Sequence, residues 1–490
     1  VPISDFKPSI YMMHNIALKI SVLAVIILLA ACDNYLDTNI DPNRAQTVTL
    51  EALLAPCIDA TSNNHYLAGF TTGQFTQHLA SYFPGGTDSY EETRMATTWV
   101  GIYLTALTNL DVLVDQAEEQ SSPHYAGIGK ILQALNLGIA TDTWGDIPFS
   151  DAFQGENGLT PGYDSQEQIY QTINTLLDEA ITDLQQPTSL FKPATDDLIF
   201  GGKLVNWVKV AYTLKARYAM HLTNRDQNAA VSAALAALPL GISLATEDLQ
   251  LTYNTVNRNP WYNNVSSPIT TGNFTVGPSE QIMSLMNGTY YDVIDPRLPK
   301  MFDNQGAATY SGLTNGLATG GNSRLSVNTW YAAQTAPQLM VTLIEAKFLE
   351  AEARFLQNGG TTASVGTTQE AYDAYIAGIS AHFVKLGLDP ATYLANTEEV
   401  AVGKDNLTLE LILKEKYIAM FLNPEAWVDV RRYQYDNSLY RGMELPGNYN
   451  SDLNNEFVRR ALYPFDEINR NSASVTPHIK TMEIKMWWEE

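Results

Sequence analysis

One cysteine near the start of the chain stands where a covalent modification would be made. Leu29-Ala30-Ala31-Cys32 closes the apolar run Ile20 to Leu29, which is too short to span a bilayer comfortably as a permanent helix. Small residues ahead of a thiol suit cleavage by a lipoprotein signal peptidase, after which Cys32 would carry a diacylglycerol. Met12-Met13 supplies the better start, so residues 1–31 read as a signal peptide with Val1 to Tyr11 as spurious upstream sequence. The second of the two cysteines, Cys57, lies in the apolar run Leu53-Leu54-Ala55-Pro56-Cys57-Ile58 and reads as a packing residue. With Cys32 acylated, no disulfide framework remains.

Catalytic patterns are not found. There is no G-x-S-x-G, H-E-x-x-H, C-x-x-C, Walker or dinucleotide glycine pattern, and the seven histidines are scattered without metal-ligand spacing. Asp37-Thr38-Asn39-Ile40-Asp41 has the alternation of a calcium loop, but Pro42 and Val48 stand where the turn glycine and bidentate Glu belong. His221 and His382 fall in helical stretches as satisfied or solvent-facing residues. Glu345, Glu350 and Glu352 read as a solvated or ion-paired helix face. The expectation is a protein with no catalytic residues, no metal and no cofactor. A formal charge of −24 repels nucleic acid and suits neutral sugars or cationic peptides.

Binding chemistry is more promising. Between about residues 245 and 335 the chain turns rich in Gly, Asn, Ser and Thr, with aromatic residues interspersed. Trp261-Tyr262 stands beside Asn263-Asn264, Tyr310 follows, and Trp330-Tyr331 stands near Asn328 and Arg324. Sugar rings present C–H faces that pack on aromatic rings, while their hydroxyls need fixed polar partners. Trp261, Tyr262, Tyr310, Arg324, Trp330 and Tyr331 are therefore the expected ligand-binding residues.

Helices must position that insert. From residue 51 to about 240, apolar stripes recur at helical spacing: Trp99, Tyr103, Leu107, Leu110, Leu113 and Val114; then Ile169, Tyr170, Ile173, Leu176, Leu177, Ala180, Ile181 and Leu184; then Trp207, Val210, Ala211, Leu214 and Tyr218. Ser165 with Gln168, and Thr367 with Glu370, are spaced as capping boxes. Further helices are expected over Glu345–Phe355, Thr367–Leu386 and Leu409–Phe421, and an irregular tail from Asp436. No second apolar stretch reads as long enough to cross a membrane. Helices in succession joined by short polar turns predict a mostly α fold of tetratricopeptide-like hairpins. Residues 32–50 read as a lipidated tether and arm, and residues 51–490 as one domain carrying the insert 245–335.

Several segments resemble the SusD/RagB family. Asn39-Ile40-Asp41-Pro42-Asn43 is similar to its N-terminal arm, and Asp142-Thr143-Trp144-Gly145-Asp146-Ile147-Pro148-Phe149 to its D-x-Y-G-D-[IV]-P-[YF] turn, with Trp for Tyr. Asp295-Pro296-Arg297-Leu298 with Phe302 resembles its D-P-R segment, and Glu345 to Ala353 its late helix. Glu425-Ala426-Trp427-Val428-Asp429-Val430-Arg431-Arg432 resembles its E-x-W-x-D-x-R-R element, and Tyr463 to Asn469 its closing Y-P-x-x-E-x-x-N. These residues read as architecture: Gly145 for a tight turn, Arg431 and Arg432 forked onto internal carboxylates or carbonyls. The resemblance implies a helical superhelix with loop-rich insertions, a lipid anchor in the outer membrane, exposure at the cell surface, and a SusC-like TonB-dependent transporter as partner. Its implied ligand is a glycan, favoured here by the aromatic-and-amide insert; an oligopeptide ligand is known for part of the family, and a lipoprotein scaffold binding only protein is the reading of another class.

Overall fold

The computed structural model describes residues 48–155 and 158–490. Cys32, the signal peptide 1–31 and nearly all of the tether and arm 32–50 lie outside the described residues. Leu50–Glu490 forms one compact unit.

Ten helices carry the framework: α1 Leu50–Phe75, α2 Thr108–Glu119, α3 Pro123–Trp144, α4 Gln166–Leu184, α5 Leu204–His221, α6 Gln227–Ala237, α7 Leu343–Gln357, α8 Gln369–Lys385, α9 Leu409–Ala419 and α10 Glu425–Arg432. Their boundaries follow local chemistry. Pro123 opens α3, where its missing N–H costs nothing, and Gly145 closes it at φ +91°, a conformation that side chains disfavour. Ser165 and Gln168 form the reciprocal capping box at α4. At α8 the cap is Thr368, one residue beyond the expected Thr367; its side chain accepts the Ala371 N–H.

Consecutive helices pair: α2 with α3, α3 with α4, α4 with α5, α5 with α6, α7 with α8. The predicted stripes explain this. Ile169, Tyr170, Ile173, Leu177, Ala180, Ile181 and Leu184 are all buried along α4, against an α3 that is itself buried over almost its whole length. The run Ala96–Glu119, which joins α2 to a preceding turn through a π segment at Gly101–Leu107, is long and apolar enough to cross a membrane, contrary to the expectation. Half of its most apolar stretch is buried, and Trp99, Ile102, Tyr103 and Leu110 on it belong to the core, so it is accounted for as a core helix.

After α6 the chain leaves for the loop-rich insert and returns as α7, which packs on α6 and α5 and so resumes the helical stack. The neck of the insert is closed where β2 Leu249–Leu251 pairs antiparallel with β6 Gln338–Val341. Four further short strands form two more antiparallel pairs, one of which stitches the insert to distant chain. β1 Leu79–Ser81, directly after α1, pairs with β3 Val276–Pro278, and β4 Leu313–Thr314 pairs with β5 Thr319–Gly320. One large apolar core lies among α1 to α5, and another beneath the insert against α7, α8 and α9.

Candidate functional site

Among the described residues, the charged side chains Asp142, Asp295, Arg297, Glu345, Glu352, Glu425, Asp429, Arg431 and Arg432 of the family-like segments lie in the interior, where they pair with one another and with charges outside those segments. Arg217 forks onto Glu345 at 2.5 and 2.6 Å and reaches Glu425 at 3.3 Å. His221 stands 2.9 Å from Glu425 and 3.4 Å from Asp142. Despite burial, these two carboxylates raise its pKa to about 9. Arg297 sits 2.6 Å from both Asp295 and Glu415, with its guanidinium also 3.0 Å from His382. Lys416 and Arg432 both bridge Glu352 and Asp429 at 2.7–3.0 Å. Arg431 donates to the backbone carbonyls of Asp142 and Arg459, both at 2.7 Å. The fork expected for Arg431 and Arg432 is thus present. Glu345 and Glu352 are ion-paired but not solvated; of the three helix-face glutamates only Glu350 stays partly exposed, between Lys347 and Arg354. Cys57 is fully buried and burial pushes its thiol up to about 12, an inert packing residue. Charged groups held this way are committed to contacts within the fold, though Arg431 Nη2 and Arg432 Nε have no hydrogen-bond partner among the described residues.

The six expected ligand residues do not form one surface. Trp261 is 2% exposed, its ring edge-on to Tyr66 of α1 at 4.9 Å. Tyr331 is buried too, its hydroxyl 3.0 Å from His382 Nε2. The two share the wall of a cavity of only about 20 Å³, room for about one water. As platforms for a sugar ring, Trp261 and Tyr331 are therefore corrected: they are core, and no ligand reaches their faces. Trp330 is half-buried and edge-on to Tyr331 at 4.8 Å. Tyr262 lies at the surface near the Arg258 guanidinium, 5.9 Å away. Tyr310 is half-buried, and its carbonyl accepts from Asn287 at 3.0 Å.

Arg324 leads elsewhere. Its guanidinium lies 4.8 Å over the Phe274 ring, and Phe274 meets Tyr82 at 5.1 Å. Burial raises the Tyr82 hydroxyl above the ordinary tyrosine value, offset by the charge and hydrogen bond of Arg324. Phe83, next in the chain, is 59% exposed. These residues come from three segments far apart in sequence, and backbone bonds hold them. The β1–β3 pairing places Tyr82 N–H on the Thr275 carbonyl at 3.1 Å. Gly277 leaves room for the Tyr82 ring: a Cβ there would stand 2.8 Å from its hydroxyl. Asp88 accepts the Ser81 and Gly316 N–H groups at 3.0 and 2.8 Å, tying the loop after Tyr82 to the β4–β5 hairpin. Gly316, at φ +77°, lies so close to the Gly447 carbonyl that no side chain fits.

The result is a partly exposed face of rings and one guanidinium, on rigidly linked loops, able to stack a planar or C–H-rich ligand and donate to its oxygens. Of this face the sequence reading named Arg324 and did not name Tyr82, Phe83 or Phe274. The signal available was Tyr82-Phe83-Pro84-Gly85-Gly86, an aromatic pair running into a turn. On the helical side a second, mainly apolar cavity of about 390 Å³ lies between α4 and α5, walled by Tyr170, Tyr218 and Trp487.

Among known proteins, a SusD-like family model described as starch-binding, associating with the outer membrane, matches residues 42–464. Solved structures share the fold at low identity. A chitin-binding SusD homolog from Flavobacterium johnsoniae is 22% identical with a TM-score of 0.72, covering 90% of this chain and 98% of its own. A SusD homolog from Bacteroides uniformis is 24% identical with a TM-score of 0.72, covering 89% and 99%. One from Parabacteroides distasonis is 21% identical with a TM-score of 0.73, covering 90% and 98%. No curated protein sequence matches the chain.

Proposed function

The chain belongs to the SusD/RagB family, and from that premise we propose that it captures a glycan at the face formed by Tyr82, Phe83, Phe274 and Arg324 and delivers it to a SusC-like TonB-dependent transporter. One observation carries the choice of face: ring surface is left open there beside a guanidinium, while Trp261 and Tyr331 are sealed in the core. The family's description as starch-binding and a neighbour's as chitin-binding both favour an oligosaccharide over a charged ligand. Tyr262, Tyr310 and Trp330, each only partly buried, remain proposed as outlying contacts of the same ligand.

Calorimetry against starch- and chitin-derived oligosaccharides tests this. One of them is expected to bind with moderate affinity that changes little with salt, as a neutral ligand should. No binding by either series, or release of cleaved sugar, would contradict it.

We further propose that Cys32 anchors the protein by lipid in the outer membrane, facing the cell surface. Cys32→Ala should move it to soluble fractions; retention in the membrane with unchanged mass would place the anchor elsewhere. A native pull-down in detergent should recover a large outer-membrane barrel through an extensive, partly hydrophobic interface. Recovery of the lipoprotein alone, with a transporter expressed, would oppose the delivery step.

A further inference from the structure

Asp88 differs from the carboxylates of the helical stack. It is fully buried, yet among the described residues no arginine, lysine or histidine pairs with it. Backbone N–H groups hold it instead. One oxygen, Oδ2, accepts both the Ser81 N–H at 3.0 Å and the Gly316 N–H at 2.8 Å, while Oδ1 has no partner among the described residues. Burial pushes the carboxyl above the ordinary aspartate value, and these N–H groups pull it only part of the way back.

Between Ser81 and Asp88 the chain swings outward. Phe83, Pro84 and Gly85 are exposed, and a Cβ added at Gly85 would meet nothing within 4 Å. At the base of this turn the Phe83 N–H donates to Ser81 Oγ at 3.1 Å. Gly86 closes over the base: a Cβ there would stand 2.7 Å from Ser81 Oγ and 3.1 Å from Asp88 Oδ1. One carboxylate thus holds together the turn that presents Tyr82 and Phe83, and ties it to the β4–β5 hairpin. The chain beyond is anchored without it. Tyr90 is buried with its hydroxyl on the Phe75 carbonyl at 3.3 Å, and the Ser89 carbonyl accepts the Asn450 N–H at 2.9 Å. Removing the carboxylate should therefore free the turn and leave the surrounding fold in place.

We propose that Asp88 is a positioning residue for ligand capture, a role that rests on glycan binding at the ring face. It touches no ligand. By holding the Ser81 and Gly316 N–H groups on one oxygen, it sets Tyr82 and Phe83 in place before the ligand arrives. Side chains that must be ordered on binding cost affinity, and for both rings with their backbone the cost amounts to about tenfold or more. Asp88→Ala removes both bonds. Asp88→Asn keeps them, because both N–H groups meet a single oxygen whose place the amide oxygen takes; its NH2 replaces an oxygen that has no partner among the described residues.

Calorimetry on the full chain with maltohexaose and chitohexaose, beside amide hydrogen exchange, tests this. Asp88→Ala should weaken the sugar that binds the unaltered protein by about tenfold or more. Asp88→Asn should restore affinity to within about threefold, since neutral hydrogen bonds remain where charge-assisted ones stood. Gly86→Ala, whose Cβ forces Ser81 and Asp88 to shift, should weaken binding in the same direction. In Asp88→Ala, exchange should quicken at the Ser81 and Gly316 amides and stay unchanged in α1 and α7. Normal binding by Asp88→Ala, where Tyr82→Ala loses affinity, would overturn this proposal alone. So would equal losses in Asp88→Ala and Asp88→Asn, or a loss in Asp88→Ala accompanied by faster exchange throughout α1 and α7. Binding of neither sugar by the unaltered protein, or normal binding by Tyr82→Ala, would overturn the ring-face reading and this proposal with it.

Discussion

The helical stack and the loop-rich face treat charge in opposite ways. In the stack, arginines, lysines and glutamates are drawn inside and paired until little of them is exposed: Arg217 with Glu345, Arg432 with Glu352, Lys416 with Asp429. At the loop-rich face the buried Asp88 is held by backbone N–H groups, Arg324 stays partly exposed over a ring, and rings are brought towards solvent, as with Phe83 at 59% exposed. The difference separates two kinds of residue that look alike in a sequence. Charged residues in recognisable segments hold helices in register, because a buried charge left without an opposite charge is costly. The residues of the ring face are ordinary aromatics in turns, made into a surface by pairing between distant strands.

The sharpest way to break the comparison is to remove one member of a buried pair. Arg297→Met leaves the buried Asp295 without its cation and Glu415 with Lys414 alone, and should cost about 3–5 kcal/mol in chemical denaturation. Trp261→Ala should cost a similar ~3–5 kcal/mol, since it empties a packed position against Tyr66 and Phe70. If either variant melts normally, the interior is looser than described.

Acid and base should probe the same pairs. Attraction to Arg432, Arg297 and Arg217 outweighs burial and lowers Glu352, Glu415 and Glu425 to about 2 from 4.5. A lowered carboxyl stabilises the fold above its unfolded value, so that contribution is intact above 4.5 and drains away as pH falls towards 2. Burial lowers His65 and His78 to about 3 from 6.5, so neutral histidine is favoured inside and stability begins to fall already below 6.5. His221 runs the other way: raised to about 9, it contributes fully below 6.5 and its contribution is lost as pH rises through 9. Melting temperature against pH should therefore peak near neutrality. A profile flat from pH 4 to 9, within a range of about those values, would contradict the paired interior.

The smallest effect is expected where a pair stays wet. Glu350→Gln loosens contacts to Lys347 and Arg354 on a partly exposed helix face, and should cost under about 1 kcal/mol. A loss as large as that of Arg297→Met would erase the distinction between buried and surface charge.

Much of the stack was legible because its causes are local. The stripe from Ile169 to Leu184 and the Ser165–Gln168 box lie within a few turns of one another. At α8 Thr367 with Glu370 fits the box by spacing, yet Thr368, extended at ψ 161°, is the cap and accepts the Ala371 N–H. The D-P-R and E-x-W-x-D-x-R-R segments were legible as architecture, but their partners were not, since Arg297 meets Glu415 and Arg432 meets Glu352 across long stretches of chain. The ring face was the least legible. Trp261-Tyr262 has the composition of a binding loop, yet Trp261 is covered by α1, while Tyr82 and Phe274 meet only because β1 pairs with β3. Composition locates a wet, aromatic region; register decides which of its rings face out.

The central claim is that recognition rests on the face around Tyr82 and Phe274 while Trp261 serves the core. Measuring both affinity and melting temperature for Tyr82→Ala and Trp261→Ala, with the oligosaccharide that binds the unaltered protein, tests it directly. Tyr82→Ala should lose about ten- to a hundredfold in affinity, the worth of one stacked ring, and shift the melting temperature little. Trp261→Ala should melt several degrees lower while its folded fraction binds nearly as before. Normal binding by Tyr82→Ala, with affinity lost instead in a stably folded Trp261→Ala, would contradict the account.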